Sequence, residues 1–240
     1  MTSAVGSFAG FSRDGVQFLA DLAEHNDRAW FQPRKAEYER LLKEPLEALC
    51  EALAKGFAAR GVPMSADPRR SPFRIYRDTR FSKDKTPYKT HVSASFPWVG
   101  GAADGSPDTV REREGPGGVG GYFHFQPGEI YVGGGMWHPE PTRLVGWRSV
   151  VANDPAGVRR AIDDPRFVKE FGAVHGDSLK RVPSGFPPDH PEADLLKLKD
   201  VTFGRRMSDD EALSARLPDI IVESFATASP VLALLAGLPA

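Results

Sequence analysis

The spacing of apolar residues changes twice along the chain, and the changes divide it into three parts. From Phe11 to about residue 60 the apolar positions recur every three or four residues, as one face of a helix requires. Ser12 can cap a first helix that carries Phe18, Leu19 and Leu22 and closes near His25-Asn26-Asp27. A second helix starts at Asp27 or Arg28 and continues through Trp30, Phe31, Tyr38, Leu41, Leu42, Leu46, Leu49, Leu53 and Phe57. Pro33 suits a first turn, Pro45 should kink or divide the helix, and Gly61-Val-Pro63 stops it. Between 73 and 137 the period becomes two. Phe73 and Ile75 alternate with Arg74 and Tyr76, and Val92, Ala94 and Phe96 with His91, Ser93 and Ser95. Phe123 and Phe125 alternate with Tyr122, His124 and Gln126, and Ile130 and Val132 with Glu129 and Tyr131. Gln126-Pro-Gly128 joins the last two runs as a hairpin turn.

Strands of this kind predict an antiparallel sheet with one face on helices and one face open. The open face would gather Arg74, Tyr76, His91, Ser93, Tyr122, His124, Glu129 and Tyr131. Residues 100–121, rich in glycine, read as a flexible loop. Within it, Gly115-x-Gly117-x-x-Gly120 matches a dinucleotide fingerprint as a string. It precedes a strand instead of joining a strand to a helix, so the match is rejected. From 139 to 236 the pattern is helical again: Pro139-Glu-Pro141 opens a helix, short helices follow near 156–162 and 165–171, and Ser208-Asp-Asp-Glu211 is a capping box. The expectation is a single α+β domain over 1–240. Its antiparallel sheet has four or more strands, with the N-terminal helices (11–60) and the C-terminal helices packed on the apolar face.

Composition narrows the function. The 240 residues are 40% hydrophobic and 26% charged, a globular balance, and the formal net charge is −1. A near-neutral chain disfavours bulk nucleic-acid binding, which calls for a basic domain. The single cysteine, Cys50, lies on the apolar stripe of the second helix, and it excludes a disulfide framework or a Cys-based zinc cluster. The start lacks a basic and apolar leader. The apolar stretch from Leu217 to Leu238 is interrupted by Pro218, Asp219, Glu223 and Pro230, so it reads as a buried helix rather than a membrane span. A cytoplasmic protein is expected.

The chemistry concentrates in residues 74–91, where Arg74, Arg77, Arg80, Lys83, Lys85 and Lys89 face only Asp78 and Asp84. Asp78-Thr79 and Ser82-Lys-Asp-Lys-Thr-Pro87 are turn sequences, so the segment presents its cations on a loop between strands. Arginine forks, ammonium groups and hydroxyls together suit anionic oxygens. The competing reading is an internal lattice in which Asp78 and Asp84 clamp the turn. The candidate ligand-binding set is Arg74, Tyr76, Arg77, Arg80, Ser82, Lys83, Lys85, Tyr88 and Lys89. Gly134 and Gly135 join it, because the run Gly133-Gly-Gly135 can form an anion nest ahead of a helix start. A β-bulge or strand exit that needs glycine explains the same run. His91, His124, Asp78 and Asp84 are the candidates for acid–base work, although Arg and Lys neighbours lower a carboxyl pKa and suit the two Asp poorly as acids. His91, His124 and His138 with Glu129 or Glu140 could ligate a metal only if they converge, and their spacing does not demand it; neither a metal nor a cofactor is expected.

The string Arg74-Ile-Tyr-Arg-Asp-Thr-Arg-Phe-Ser-Lys-Asp-Lys-Thr-Pro-Tyr-Lys-Thr resembles the signature of an uncharacterised conserved family, domain of unknown function 2461. Asn26-x-x-x-Trp30-Phe31, Gly121-Tyr-Phe-His-Phe, Gly133-Gly-Gly-Met-Trp137 and Leu195-Leu-Lys-Leu-Lys199 extend the resemblance from about Phe11 to Phe225. It implies one α+β domain and supplies no reaction, substrate or cofactor. From the residues themselves, the expectation is an anionic small molecule, for instance a phosphorylated one, held between the basic loop and the polar sheet face. The alternatives are a single-stranded nucleic-acid binder stacking bases on Tyr76, Phe81 and Tyr88, and a structural module in which the motif only stabilises the fold.

Overall fold

In a computed structural model, which describes residues 8–80, 82–100 and 118–238, the helices begin where side chains can satisfy their free N–H groups. Ser12 Oγ accepts from Gly15 N–H at 3.1 Å to open α1 (Arg13–Glu24), and Asp27 accepts from Trp30 N–H at 2.8 Å to open α2 (Arg28–Phe31). The long helix expected next is subdivided. A 3-10 turn at Gln32–Arg34, α3 (Lys35–Tyr38) and a π turn at Glu39–Lys43 precede α4 (Glu44–Arg60). The prolines explain this: Pro33 sits in the 3-10 turn, and Pro45 has no N–H to offer the Leu41 carbonyl, so the turn before it widens. Gly61 ends α4 in the left-handed region at φ 71°.

The sheet is an antiparallel meander in the order β1 (Val92–Pro97), β2 (Val119–Gln126), β3 (Glu129–Met136) and β4 (Val201–Arg206). Its fourth member is not the segment expected. Residues 73–77 start alongside β1, where Phe73 N–H donates to Ser93 O at 2.9 Å and Pro72 bridges Ala94. They then leave it and pair with their own return: Lys89 N–H donates to Ile75 O at 2.8 Å, Arg77 N–H to Pro87 O at 2.9 Å, and Tyr76 bridges Tyr88. The segment is therefore a folded arm at the sheet edge. Ile75 is buried as expected, but Phe73, expected in the core, is 45% exposed. The fourth strand comes from the C-terminal part that was expected to be helical, where buried Val201 and Phe203 alternate with Thr202 and Gly204. β2 also begins at Val119, inside the expected loop; the rest of that loop, 101–117, lies outside the described residues.

The core fills the space between one sheet face and two helices, α4 and α10 (Leu217–Ala236). Phe57, Phe96 and Phe225, from α4, β1 and α10, meet edge to face at 6.0–6.1 Å. Gly121 permits this approach, since a Cβ there would lie 2.3 Å from the Phe225 ring. Phe11 closes one end by stacking on Phe125 at 4.3 Å. By length and composition α10 could cross a membrane, yet Ile221, Phe225, Ala228 and Leu232 are buried in this core. The remaining helices are α5 (Pro141–Asn153), α6 (Pro155–Ile162), α7 (Pro165–Phe171), α8 (Ala193–Lys197) and α9 (Asp209–Leu213). Ser208 and Glu211 form both hydrogen bonds of the expected capping box at α9. Truncating Phe123 or Phe125, both fully buried, to Ala should cost roughly 3–5 kcal/mol through lost burial and a cavity. Ser95→Ala on the opposite face should stay within about 0.5 kcal/mol. Urea melts of the three variants check this separation of the faces.

Candidate functional site

The arm between Phe73 and Lys89 is built mostly by its own polar groups. Asn26, just before α2, uses its amide as a second backbone: Nδ2 donates to Tyr88 O and Oδ1 accepts from Tyr88 N–H, each at 3.0 Å. The Tyr88 ring is buried and stacks on Phe31 with centroids 4.1 Å apart. Arg77 donates to Asp84 and to Thr86, Arg80 forks onto Asp78 at 2.7 and 3.0 Å, and Lys85 donates to Thr79 O at 2.8 Å. The hydrogen bonds from Arg80 and Arg77 lead in holding Asp78 and Asp84 down at about 2. Both are ionised clamps near neutral pH, not proton donors, which corrects their place among acid–base candidates. Tyr76 also leaves the expected face, and Tyr88, a candidate of the basic loop, is buried. The Tyr76 ring lies 5.5 Å from Tyr88 and 6.5 Å from Phe31, on the helical side. Ser82, partly exposed, and Lys83, exposed, occupy the tip, next to Phe81 outside the described residues.

Three cations of the arm stand apart from this lattice: Lys83 at the exposed tip, and Arg74 and Lys89 at its base. Arg74 and Lys89 have no carboxylate within ion-pair distance among the described residues. Lys89 is half-buried, its ammonium 5.0 Å from the Phe73 ring centroid, and burial followed by the charge of Arg74 pulls its pKa down.

The strand register lays out the open face as a grid. One row across the sheet is Ser93, His124, Tyr131 and Arg206; the next is Ser95, Tyr122, Gly133 and Gly204; the third is Pro97, Gly120, Gly135 and Thr202. Four neighbouring positions are therefore glycine: Gly120, Gly133, Gly135 and Gly204. They form a stepped bare strip across β2, β3 and β4, about 10 Å by 7 Å in extent from a strand spacing of about 4.8 Å and a rise of about 3.4 Å per residue, with Tyr122 and Thr202 at its two filled corners. A groove of about 560 Å³ lies over this floor, walled by Phe73, Tyr122 and Tyr131 at one side and by Trp137 and His175 at the other. Trp137 is 65% exposed on a turn where His138 takes φ 48° and donates its N–H to Asp200 Oδ1 at 2.6 Å. Gly134 and Gly135 lie inside β3, laddered to β2 and β4, so their N–H groups serve the sheet and form no anion nest. Gly134 faces the core side with Phe203.

At the other end of the face the rings of His91, His124 and Tyr131 form a stack, with centroids 4.3 and 4.7 Å apart. His124 is 6% exposed; its Nε2 faces Gln126 Oε1 at 3.4 Å and its Nδ1 the Tyr122 hydroxyl at 3.1 Å. An amide oxygen only accepts, so Nε2 carries the proton and Nδ1 accepts from Tyr122. Burial, then His124 and Lys89, holds His91 down at about 4, and burial also lowers His124. Among the described residues no three His, Cys, Asp or Glu side chains converge as a metal site would require.

The whole-chain comparison decides the family: residues 14–233 match the model of the conserved hypothetical proteins DUF2461. The chain belongs to that family. No curated protein and no solved structure matches it. The segments that carry the DUF2461 resemblance acquire physical roles here. Asn26 to Phe31 and Thr86 to Lys89 are the two halves of one contact, while Gly121 to Phe125 and Gly133 to Trp137 build the groove. Sequence reasoning gave no site role to Asn26, Phe73, Trp137 or Gly204. The readable signal was the run Val201-Thr-Phe-Gly204, which alternates as a strand does and puts a glycine on the same face as Gly133.

A pH prediction follows from the histidines. Both folded-state pKa values lie below the ordinary histidine value of 6.5, so between about 6.5 and 4 the unfolded chain binds more protons. Stability is intact above 6.5 and should fall as pH drops through that window. Replacing His91 with Gln should flatten this slope, as urea melts at pH 7.5, 6 and 5 would show.

Proposed function

We propose that the protein binds an anionic small molecule on the open face of its sheet, with the anionic group at Arg74 and Lys89 and the body over the glycine floor. The observation that carries this reading is Lys89, which has no ion pair among the described residues: its ammonium lies 5.0 Å from the ring of Phe73, a wall of the groove with the glycine floor, and near enough to Arg74 for that charge to lower its pKa. A half-buried ammonium next to a guanidinium is costly to keep charged, and an anion between them offsets both the desolvation and the repulsion. The site is the groove with Arg74 and Lys89, not the whole basic loop, because Arg77, Arg80 and Lys85 are engaged within the arm. For those three, the structural alternative is favoured by a specific observation: their partners are Asp84, Asp78 and the Thr79 carbonyl. The nucleic-acid alternative loses its stacking platform at Tyr88, which is buried. His91 and His124, neutral near pH 7, stand beside the site as bases, with no reaction assigned to them.

Inorganic phosphate is the simplest probe. At matched ionic strength, phosphate should raise the melting temperature above that in chloride, by about 1.4 kcal/mol of added stability at ten times its Kd. The double variant Arg74→Gln with Lys89→Met should fold and lose the gain. An equal response to phosphate in both proteins would contradict the reading.

A further inference from the structure

Of the floor glycines, Gly204 alone is not required by the sheet. A Cβ at Gly120, Gly133 or Gly135 would lie 2.6, 2.4 or 2.2 Å from a backbone oxygen of the neighbouring strand, and Gly135 also has φ +123°. Those glycines follow from how tightly the strands approach. At Gly204 a Cβ would meet only Val132 O at 3.4 Å and Gly133 Cα at 3.6 Å, ordinary contacts. A β-branched residue would suit the strand better there. What a side chain at 204 would change is the groove, which Gly204 lines opposite Gly133.

The floor of the slot so kept open is poor in free hydrogen-bonding groups, although Trp137 and His175 bring an indole N–H and an imidazole to one wall. The floor N–H and C=O groups belong to the ladders, the Thr202 hydroxyl is spent on His175 O at 2.9 Å, and the Tyr122 hydroxyl faces His124. Ser95 is the polar side chain left on the floor rows. A sugar ring lying on this floor would turn several hydroxyls toward backbone groups already paired in the ladders, and each group left unpaired there is costly. A planar ring without hydroxyls has no such cost and finds aromatic walls on both sides, Trp137 across from Phe73 and Tyr122. Resting on the anion reading above, we infer that the ligand is an aromatic anion: an aryl ring seated on the floor between these walls, bearing a phosphate or carboxylate that reaches Lys89 and Arg74. The register supports the fit. Gly133 and Gly204 sit side by side across one strand spacing of about 4.8 Å, with Gly120 and Gly135 in the next row, so one ring can lie flat on the floor beyond Tyr122.

The test compares phenyl phosphate, glucose 6-phosphate and inorganic phosphate by calorimetric titration of the full chain. Phenyl phosphate should bind at least tenfold tighter than the other two. Gly204→Val and Trp137→Ala should each remove this preference while leaving inorganic phosphate affinity unchanged, and Gly204→Val should melt no lower than the wild type. The aryl inference is overturned if glucose 6-phosphate binds as tightly as phenyl phosphate, or if the preference survives both substitutions. In either case the anion reading stands provided the Arg74→Gln/Lys89→Met variant loses phosphate binding. If none of the three compounds binds, both readings fall.

Discussion

The paired hydrogen bonds between the Asn26 amide and the backbone of Tyr88 tie together two segments that are 62 residues apart in sequence. Without them the arm would have only its own clamps and a short run of bonds to β1. With them, and with Tyr88 stacked on Phe31, the arm is fixed to the N-terminal helices, and everything that follows Tyr88 inherits its position. Lys89 is brought over Phe73, His91 against His124, and Val92 into register with Phe125. A buried backbone N–H and C=O that are satisfied by one rigid side chain leave the arm a single arrangement. The open face is shaped at one end by that anchor.

The other end is shaped by glycine. The strands approach so closely, β2 to β1 at Gly120 and β3 to β4 at Gly133 and Gly135, that any Cβ would strike a neighbouring carbonyl. The same closeness strips the face of side chains, while Gly121 on the reverse face admits the Phe225 ring of α10. Core packing and groove are thus two consequences of one glycine-rich crossing. Exposed Phe73 and Trp137 stand over it, and large exposed aromatics gathered at a concave site mark a binding surface more often than a stability feature.

Much of the fold was legible because periodicity reports burial directly. The capped start at Ser12, the hairpin at Gln126-Pro-Gly128 and the alternation in β1, β2 and β3 needed only local pattern. Phe73 shows where that logic ends: its alternation with Arg74 was real, but the chain bends away from β1 after Phe73, and the bend is set by Asn26, far away in sequence. β4 was hidden by its helical neighbours and its single short run of two buried residues. For the site, the resemblance and the charge pattern both singled out 74–91, yet Arg77, Arg80 and Lys85 are paired within the arm, to Asp84 and Thr86, to Asp78 and to the Thr79 carbonyl. Charge counts cannot reveal that, because it depends on which carboxylate each guanidinium reaches. The polar rows of β2 and β3, including Tyr122, His124 and Tyr131, were readable from period two alone.

The proposed site requires a sheet face left bare for a ligand and not solely for strand geometry. The most direct measurement is the stability of Gly204→Ala beside Gly133→Ala, by denaturant unfolding without any ligand present. If that requirement is met, Gly204→Ala gains about 0.5–1 kcal/mol, the usual advantage of Ala over Gly within a strand. Gly133→Ala, driven into the Phe203 carbonyl, loses about 1–3 kcal/mol. If both variants lose stability to the same extent, Gly204 is there for the sheet, and the bare floor is a by-product of packing.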